Sequence, residues 1–465
     1  MSFSLKLADA FGKVVERSPF TALDPIVKIN HVPKGNNVIF GRAKYEDRPS
    51  DVVYIGKVLE NAAGKSYLGA DAWMDVTFPH VIYITGTRGS GKSFDLGVLI
   101  EGISELQEKS PVQNDVTPIT SILIDTQSQF WTLRYEPRGA VKENAQQLEE
   151  LKRWNIKPNA LKNCRIYIPP NTEPFLGDEI KFRLQPRYVT AEDWCSLLGQ
   201  EVYGPQGHIV SETCESLSPA NYSLNDMIAY ISDASNWPGI AESSRNALVY
   251  KLTDYLRTGL FDPAGLDVRS LLTPGVANIF MLRDLRNEDK SLVTAIIARQ
   301  LFLIMGQHHK ELKVAHFFDK PFKGENLPTR VWLLIDEAHV VAPANLPSPA
   351  REALVEYVKR GRDAGLSLVL ATQQPSAVDD RILSQVNISF NHRLTFQSDI
   401  SAAINRVPTK TLAGMKMSGT TLTDFGDMIR LLEAGQCFLG DHASSRTVLV
   451  QIRPRVTSHG GYNPV

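Results

Sequence analysis

The sequence predicts an α/β fold: a parallel sheet with helices on both faces, a mainly helical insertion, and a small β-rich N-terminal module. Three observations point there. Short apolar runs at Val81 to Thr85, Ser121 to Asp125, Ala277 to Leu282, Val331 to Asp336 and Leu366 to Ala371 alternate with helical stretches. Continuous apolar strands are buried on both faces, as in a parallel sheet. About 150 residues separate the second run from the third, far more than a crossover around one helix needs, so a subdomain must be inserted there. Before Val81 the chain holds only short β-like runs, Asn37 to Gly41 and Val52 to Leu59, separated by polar stretches such as Lys44 to Ser50.

These signals divide the chain into an N-terminal module (1–75), the first part of the core (76–134), the insertion (135–272), the rest of the core (273–450) and a C-terminal tail (451–465). Helices in the insertion are announced by their ends. Thr190 and Ser223 each precede an aspartate three positions on, Asp193 and Asp226, as at helix N-caps. Leu248, Leu252 and Leu256 recur at i+4 ahead of Gly259, which suits a helix C-terminus.

Composition bounds the function classes. With 465 residues the chain exceeds one compact core, and 43% hydrophobic with 22% charged residues is a folding, globular profile. A net charge of -1 means that any nucleic-acid contact must come from a local basic surface. The four cysteines, Cys164, Cys195, Cys214 and Cys437, show no metal spacing and read as reduced thiols. Neither a secretion signal nor a membrane span is apparent, so the expected location is cytoplasmic, with no membrane partner.

The strongest motif is Gly86-Thr-Arg-Gly-Ser-Gly-Lys-Ser93, a full match to G-x-x-x-x-G-K-[ST] between the strand VIYIT and the helical run FDLGVLIEGI. Glycines let backbone N–H groups turn towards phosphate, and the following helix presents its positive end. The expected ATP-contacting set is Gly86, Arg88, Gly89, Ser90, Gly91, Lys92, Ser93 and Phe94. Lys92 reaches the terminal phosphates and Ser93 ligates Mg2+. Far downstream, Val331-Trp-Leu-Leu-Ile-Asp-Glu-Ala-His339 is an apolar strand ending in two carboxylates, the pattern of a Walker B element. Asp336 is the metal-organising carboxylate, and Glu337 the general base that polarises water. The next strand ends in Thr372-Gln373-Gln374-Pro375, placing Gln373 to sense the γ-phosphate; a plain polar strand end before a proline is the competing reading. Together these define a RecA-like (ASCE) P-loop NTPase core hydrolysing ATP with Mg2+.

In order and spacing, GTRGSGKS, LLIDEAH, KRGRDAGLSLVLATQQPS and AGQCFLGDHASSRTVLVQIRPRVTSH resemble the HerA/FtsK family of ring translocases, most of all its HerA branch. Val53 to Leu59 is similar to part of that family's N-terminal β-barrel. The resemblance implies a homo-hexamer, sequence-independent binding of duplex DNA, a nuclease or other effector protein as partner, and an arginine from the neighbouring subunit at each ATP, here Arg362 in Arg360-Gly-Arg-Asp-Ala-Gly365. Arg360 has a simpler alternative, an i,i+4 pair with Glu356. Where the family has TQRP this chain has TQQP, so Gln374 replaces an arginine.

Independent support for DNA is modest. Basic residues cluster at Lys359, Arg360 and Arg362, and at Arg453 and Arg455, where a solvated face is the competing reading. Candidate pore loops are Thr126 to Tyr135, with Trp131 and Arg134, and Val341 to Pro349; Trp131 reads more readily as core. His308, His309 and His339 lack partners at ligand spacing and read as structural or solvent-exposed. Beside the translocase stand two alternatives: an ATP-dependent scaffold organising an effector in an anti-phage defence complex, and a peripheral motor of secretion or conjugation.

Overall fold

The computed structural model describes residues 15–16, 20–22, 37–42, 51–62, 65–218, 220–408, 415–417, 420–422 and 424–460. The polar stretch Lys44 to Ser50 lies outside them. Its principal strands are β1 (Asn37–Phe40), β2 (Val52–Ala62), β3 (Lys65–Asp75), β4 (Val81–Thr85), β5 (Thr120–Asp125), β6 (Cys164–Ile168), β7 (Ala277–Met281), β8 (Val331–Ile335), β9 (Leu366–Thr372), β10 (Ile388–Asn391), β11 (Gln436–Asp441) and β12 (Arg446–Ile452). The five core strands read from the apolar runs fall within one residue of these bounds.

Seven neighbours run parallel in the order β10, β4, β9, β8, β5, β7, β6. Strand β9 is hydrogen-bonded to both β4 and β8, so one strand separates the P-loop strand from the Walker B strand. This interposed strand is what carries Gln373 to the site. Every residue of β8 and β9 is buried, because helices cover both faces. Leu333 and Ile335 face one apolar cluster, shared with the insertion and the long helix Asn287–Phe317, while Trp332 and Leu334 face the other, shared with the P-loop helix Lys92–Ile103.

Within 135–272 the helices Ala191–Leu198, Pro205–Leu217, Leu224–Ser232 and Glu242–Thr258 form the apolar mass on the first face. Thr190 and Ser223 complete reciprocal capping boxes with Asp193 and Asp226, and Gly259 is left-handed at φ 63. The stretch is not helical throughout, however. Strand β6 lies inside it and pairs in parallel with β7. Its first two residues, Cys164 and Arg165, are only partly covered, which leaves an apolar run of three residues, too short to read from sequence.

The N-terminal strands are continuous with the core sheet. Antiparallel pairing runs from β10 through β11 and β12 to β2 and β3. The segment after residue 450 is equally integral: β12 extends to Ile452, and the chain from Arg453 to Ser458 is buried against the P-loop helix.

This overturns the reading of Arg453 and Arg455 as a basic or solvated face. They are 0% and 1% exposed. Arg453 Nη1 donates to Glu101 Oε2 at 2.7 Å, its Nε to the Tyr54 carbonyl at 2.8 Å, and its Nη2 to the Val98 carbonyl at 3.2 Å. Arg455 Nε lies 3.6 Å from Glu101 Oε1. A buried cation is tolerated only when paired and hydrogen-bonded, and Glu101, itself fully buried on the P-loop helix, supplies that partner.

Candidate nucleotide site

The P-loop leaves β4 at its C-terminal tip. A Cβ on Gly86 would stand 2.3 Å from Ser90 Oγ, and one on Gly91, at φ 132, would stand 2.9 Å from His392 Cε1. Glycine is therefore required at both for the loop to curl closely over its own backbone. Ser90 Oγ and Lys92 Nζ both donate to the Thr87 carbonyl, at 2.8 and 3.0 Å. The P-loop helix starts at Lys92 with Gly91 as its N-cap and no side-chain cap, so the amides of its first turn, through Ser93 and Phe94, have no intrahelical acceptor. Arg88 and Gly89 form the exposed tip of the loop.

Opposite Lys92, β5 and β8 end side by side in Asp125 and Asp336. Burial pushes the Asp336 carboxyl well above the usual carboxylate range, and the charges of Asp125 and Glu337 push it further, against Lys92. Burial likewise raises Asp125 to about 6, although its carboxylate accepts from the Phe130 and Gln127 amides at 2.8 and 3.2 Å. The Lys92 ammonium is shifted down by burial, opposed first by Glu337 and then by Asp336 and Asp95. Three carboxylates thus gather around one lysine. A further cation beside them relieves their mutual repulsion.

Glu337 sits in the left-handed region at φ 52. That uncommon conformation turns its side chain from β8 towards β9. There Glu337 Oε2 accepts from the Gln373 amide N–H at 3.2 Å, and its Oε1 accepts from the Gln373 side-chain amide. His339, read as structural or solvent-exposed, packs into the cluster: its Nδ1 is 3.0 Å from Thr372 Oγ1 and 3.4 Å from Glu337 Oε2. The Gln374 N–H donates to Thr372 Oγ1 at 3.0 Å. Lys92, Asp336, Glu337 and Gln373 are therefore one cluster, drawn from three strand ends.

Three groups in this region escaped the sequence reading. Asp125 left a signal, since it ends an apolar strand as Asp336 does. Asp95 and His392 left none, being 297 residues apart. His392 Nε2 lies 2.7 Å from Asp95 Oδ2 and its Nδ1 is 2.8 Å from the Gln436 carbonyl, all buried beneath the P-loop. Burial raises the Asp95 carboxyl and His392 opposes the shift.

Arg362 is elsewhere. It is exposed on the turn Gly361–Ala364 that enters β9, while Gln373 follows the other end of that strand. Seven strand residues span roughly 23 Å, so this guanidinium and its own P-loop lie at opposite ends of the sheet. Among the described residues Arg362 makes no side-chain hydrogen bond or ion pair. Arg360, by contrast, takes the local partner expected of it, Glu356, at 3.4 Å. Of the candidate pore loops, Thr126 to Tyr135 is folded around the turn Phe130–Arg134. There Trp131 packs edge-on against Tyr135 and Phe175, and Arg134 pairs with Asp178.

The arrangement fits a nucleoside triphosphate with a hard divalent cation. The uncapped helix start and the glycine cradle offer amides, and the buried Thr87 Oγ1 has no hydrogen-bond partner. Among the described residues no group of three or more His, Cys, Asp or Glu side chains is placed to hold a metal ion. The oxygen donors expected from the sequence are the Ser93 hydroxyl and the Asp336 carboxylate. Such a sparse oxygen set suits Mg2+, which keeps waters and takes phosphate oxygens rather than a protein cage.

Known proteins are similar to this chain in sequence. Residues 53–301 match the family model described as "Helicase HerA, central domain". The protein named DNA double-strand break repair helicase HerA in Sulfurisphaera tokodaii is 24% identical over 160 residues, covering 34% of this chain and 30% of that protein. Its namesake in Sulfolobus acidocaldarius matches with the same identity and coverage. This chain therefore spans under a third of the length of the curated relatives it matches. Among solved structures, plasmid coupling protein TrwB bound to a non-hydrolysable ATP analogue is 13% identical with a TM-score of 0.47, covering 91% of this chain and 98% of that one. VirB4 of Thermoanaerobacter pseudethanolicus is 13% identical with a TM-score of 0.46, covering 89% and 97%.

Proposed function

The chain belongs to the family of the HerA helicase central domain, and from that premise we propose that it is an Mg2+-dependent ATPase that assembles as a ring, most simply a homo-hexamer, and moves along DNA. The observation that carries this reading is the convergence of Lys92, Asp336, Glu337 and Gln373 at three strand ends, with Arg362 at the far end of the same sheet.

In this proposal the Lys92 ammonium and the amides of Gly86, Arg88, Gly89, Ser90, Gly91, Ser93 and Phe94 bind the phosphates. The Ser93 hydroxyl and the Asp336 carboxylate hold Mg2+, whose charge offsets that of the phosphates. Glu337 accepts the proton of the attacking water. Gln373 is already hydrogen-bonded to Glu337, so a phosphate that draws its amide away also releases the base; sensing and catalysis are then one movement. Arg362 acts on the neighbour's ATP, because its own lies out of reach. The neighbours of Arg362 in the chain, Arg360, Asp363 and Ala364, line a groove of about 560 Å³ with Lys310, Phe302 and Phe317. This groove is suited to seat that neighbour.

DNA contact in this reading is to the phosphate backbone and independent of sequence, with a nuclease or other effector as the recipient. Among the described residues no helix is long and apolar enough to cross a membrane.

Glu337→Gln tests the centre of the proposal. It should preserve nucleotide binding and slow hydrolysis by about 10²-fold, and turnover at the wild-type rate would remove Glu337 from its role. DNA tests the remainder: a translocase shows DNA-stimulated hydrolysis and salt-sensitive DNA binding, whereas an ATP-dependent scaffold of a defence complex shows neither.

A further inference from the structure

The residue after the P-loop serine is aromatic, and it does not stand alone. The Phe94 ring lies 4.5 Å, centroid to centroid, from the ring of His459, with 31° between their planes. Both side chains keep part of their surface open. No role in the phosphate chemistry accounts for either.

Helix geometry says what lies beside them. Lys92 and Phe94 are two positions apart, so their side chains leave the helix about 200° from each other. The Lys92 ammonium donates to the Thr87 carbonyl of the P-loop and feels the charges of Glu337 and Asp336, which in that reading mark the hydrolytic end of a bound triphosphate. Phe94 faces away from that end, within the same turn of about 5.4 Å that binds the phosphates. A nucleotide lying across this turn with its γ-phosphate at Lys92 carries its nucleoside out over Phe94.

The partner ring is held in place by the segment that the sequence made look like a tail. The Glu101 carboxylate ties Arg453 to the P-loop helix and accepts from the Thr457 amide at 2.9 Å. Gln147 donates to the carbonyls of Arg455 and Thr457, both at 2.7 Å. The Ser458 N–H donates to the Tyr135 carbonyl at 2.7 Å, and the His459 N–H to Gln147 Oε1 at 3.3 Å. These bonds fix the backbone leading into the imidazole. Just beyond it the chain is pressed onto the core, where a Cβ on Gly460 would stand 2.4 Å from the Gln129 carbonyl. The backbone that carries the imidazole is therefore tied down by contacts within the chain itself.

We propose that Phe94 and His459 form the nucleoside platform of this site, a preformed aromatic surface on which the purine of ATP stacks. The inference rests on the P-loop reading above. Burial pushes the His459 imidazole down to about 3, so near neutral pH it presents an uncharged ring. Stacking on such a surface recognises a flat aromatic base by contact, and a purine offers more area than a pyrimidine.

The test compares binding of ATP, CTP and inorganic tripolyphosphate, each with Mg2+, to the full chain by titration calorimetry. His459→Ala should weaken ATP roughly 3- to 10-fold, the range expected for one aromatic contact. CTP should weaken less and tripolyphosphate not at all, while His459→Phe restores ATP. In turnover, KM should rise and kcat at saturating ATP stay within about twofold. Should the alanine variant unfold, His459→Leu, which keeps bulk and loses the plane, carries the same expectation. Unchanged ATP affinity, or equal weakening of ATP and tripolyphosphate, would overturn the platform. A wild-type chain that binds neither ligand would instead refute the nucleotide site itself.

Discussion

Arg362 and Gln373 flank the same strand, and the length of that strand keeps them apart. Gln373 touches Glu337 within one molecule, whereas Arg362 is on the wrong end of β9 to meet its own Lys92. Arg362→Ala is accordingly expected to bind ATP and to hydrolyse it at least about 10²-fold more slowly. Lys92→Ala should fail to bind nucleotide while still offering its arginine. Mixed together, the two inactive variants should regain part of the wild-type rate, since an intact Arg362 then faces an intact P-loop. Activity no greater than the sum of the separate samples would exclude action between subunits. At this scale Lys92, Asp336 and Glu337 were legible because each belongs to a short contiguous motif. The partnership of Asp95 with His392 was not, because only the pairing of β4 with β10 brings those residues together.

At the scale of elements, the P-loop helix is clamped from behind by the strand-and-tail unit that follows β11. Glu101 on the helix faces two guanidiniums, Arg453 at 2.7 Å and Arg455 at 3.6 Å, in a site closed to solvent. Gly97 makes room for this packing: a Cβ there would stand 2.5 Å from Arg455 Nε. Removing the single carboxylate leaves two buried cations without a counter-ion, so Glu101→Gln should cost on the order of 3–5 kcal/mol in urea unfolding. Arg453→Met should cost less, because Arg455 stays near Glu101 as its partner. Equal losses, or none for Glu101→Gln, would show that the cluster does not anchor the helix. Sequence patterning read these arginines as surface because alternation of charge along a segment carries no information about which element later covers it.

For the whole molecule, the proposed ring requires a surface on which one copy meets the next. The C-terminal part of the long helix exposes Phe317 at 80%, with Phe318 just beyond it at 58%, beside the groove shared with Arg360 and Asp363. Large exposed aromatics gathered in one place mark contact surfaces. Phe317→Asp should lower the assembled fraction in native mass spectrometry and, with it, hydrolysis, while leaving nucleotide binding by the single chain intact. An unchanged assembly would place the subunit contact on another face. With a net charge of -1, the DNA attraction of the proposed ring would fall to basic groups that it turns inward.

What the amino-acid order determined by itself was the local chemistry: apolar runs that must be strands buried on both faces, glycines where backbone curls tightly, capping pairs at Thr190 and Ser223, and carboxylates at a strand tip. Each depends on residues within a few positions of one another. Tertiary structure alone decided that β9 lies between β4 and β8, that β6 joins the sheet from inside a largely helical stretch, and that Arg453 and Arg455 are core rather than surface. Burial and pairing are properties of contacts between distant segments, and a chain acquires them only when it closes on itself.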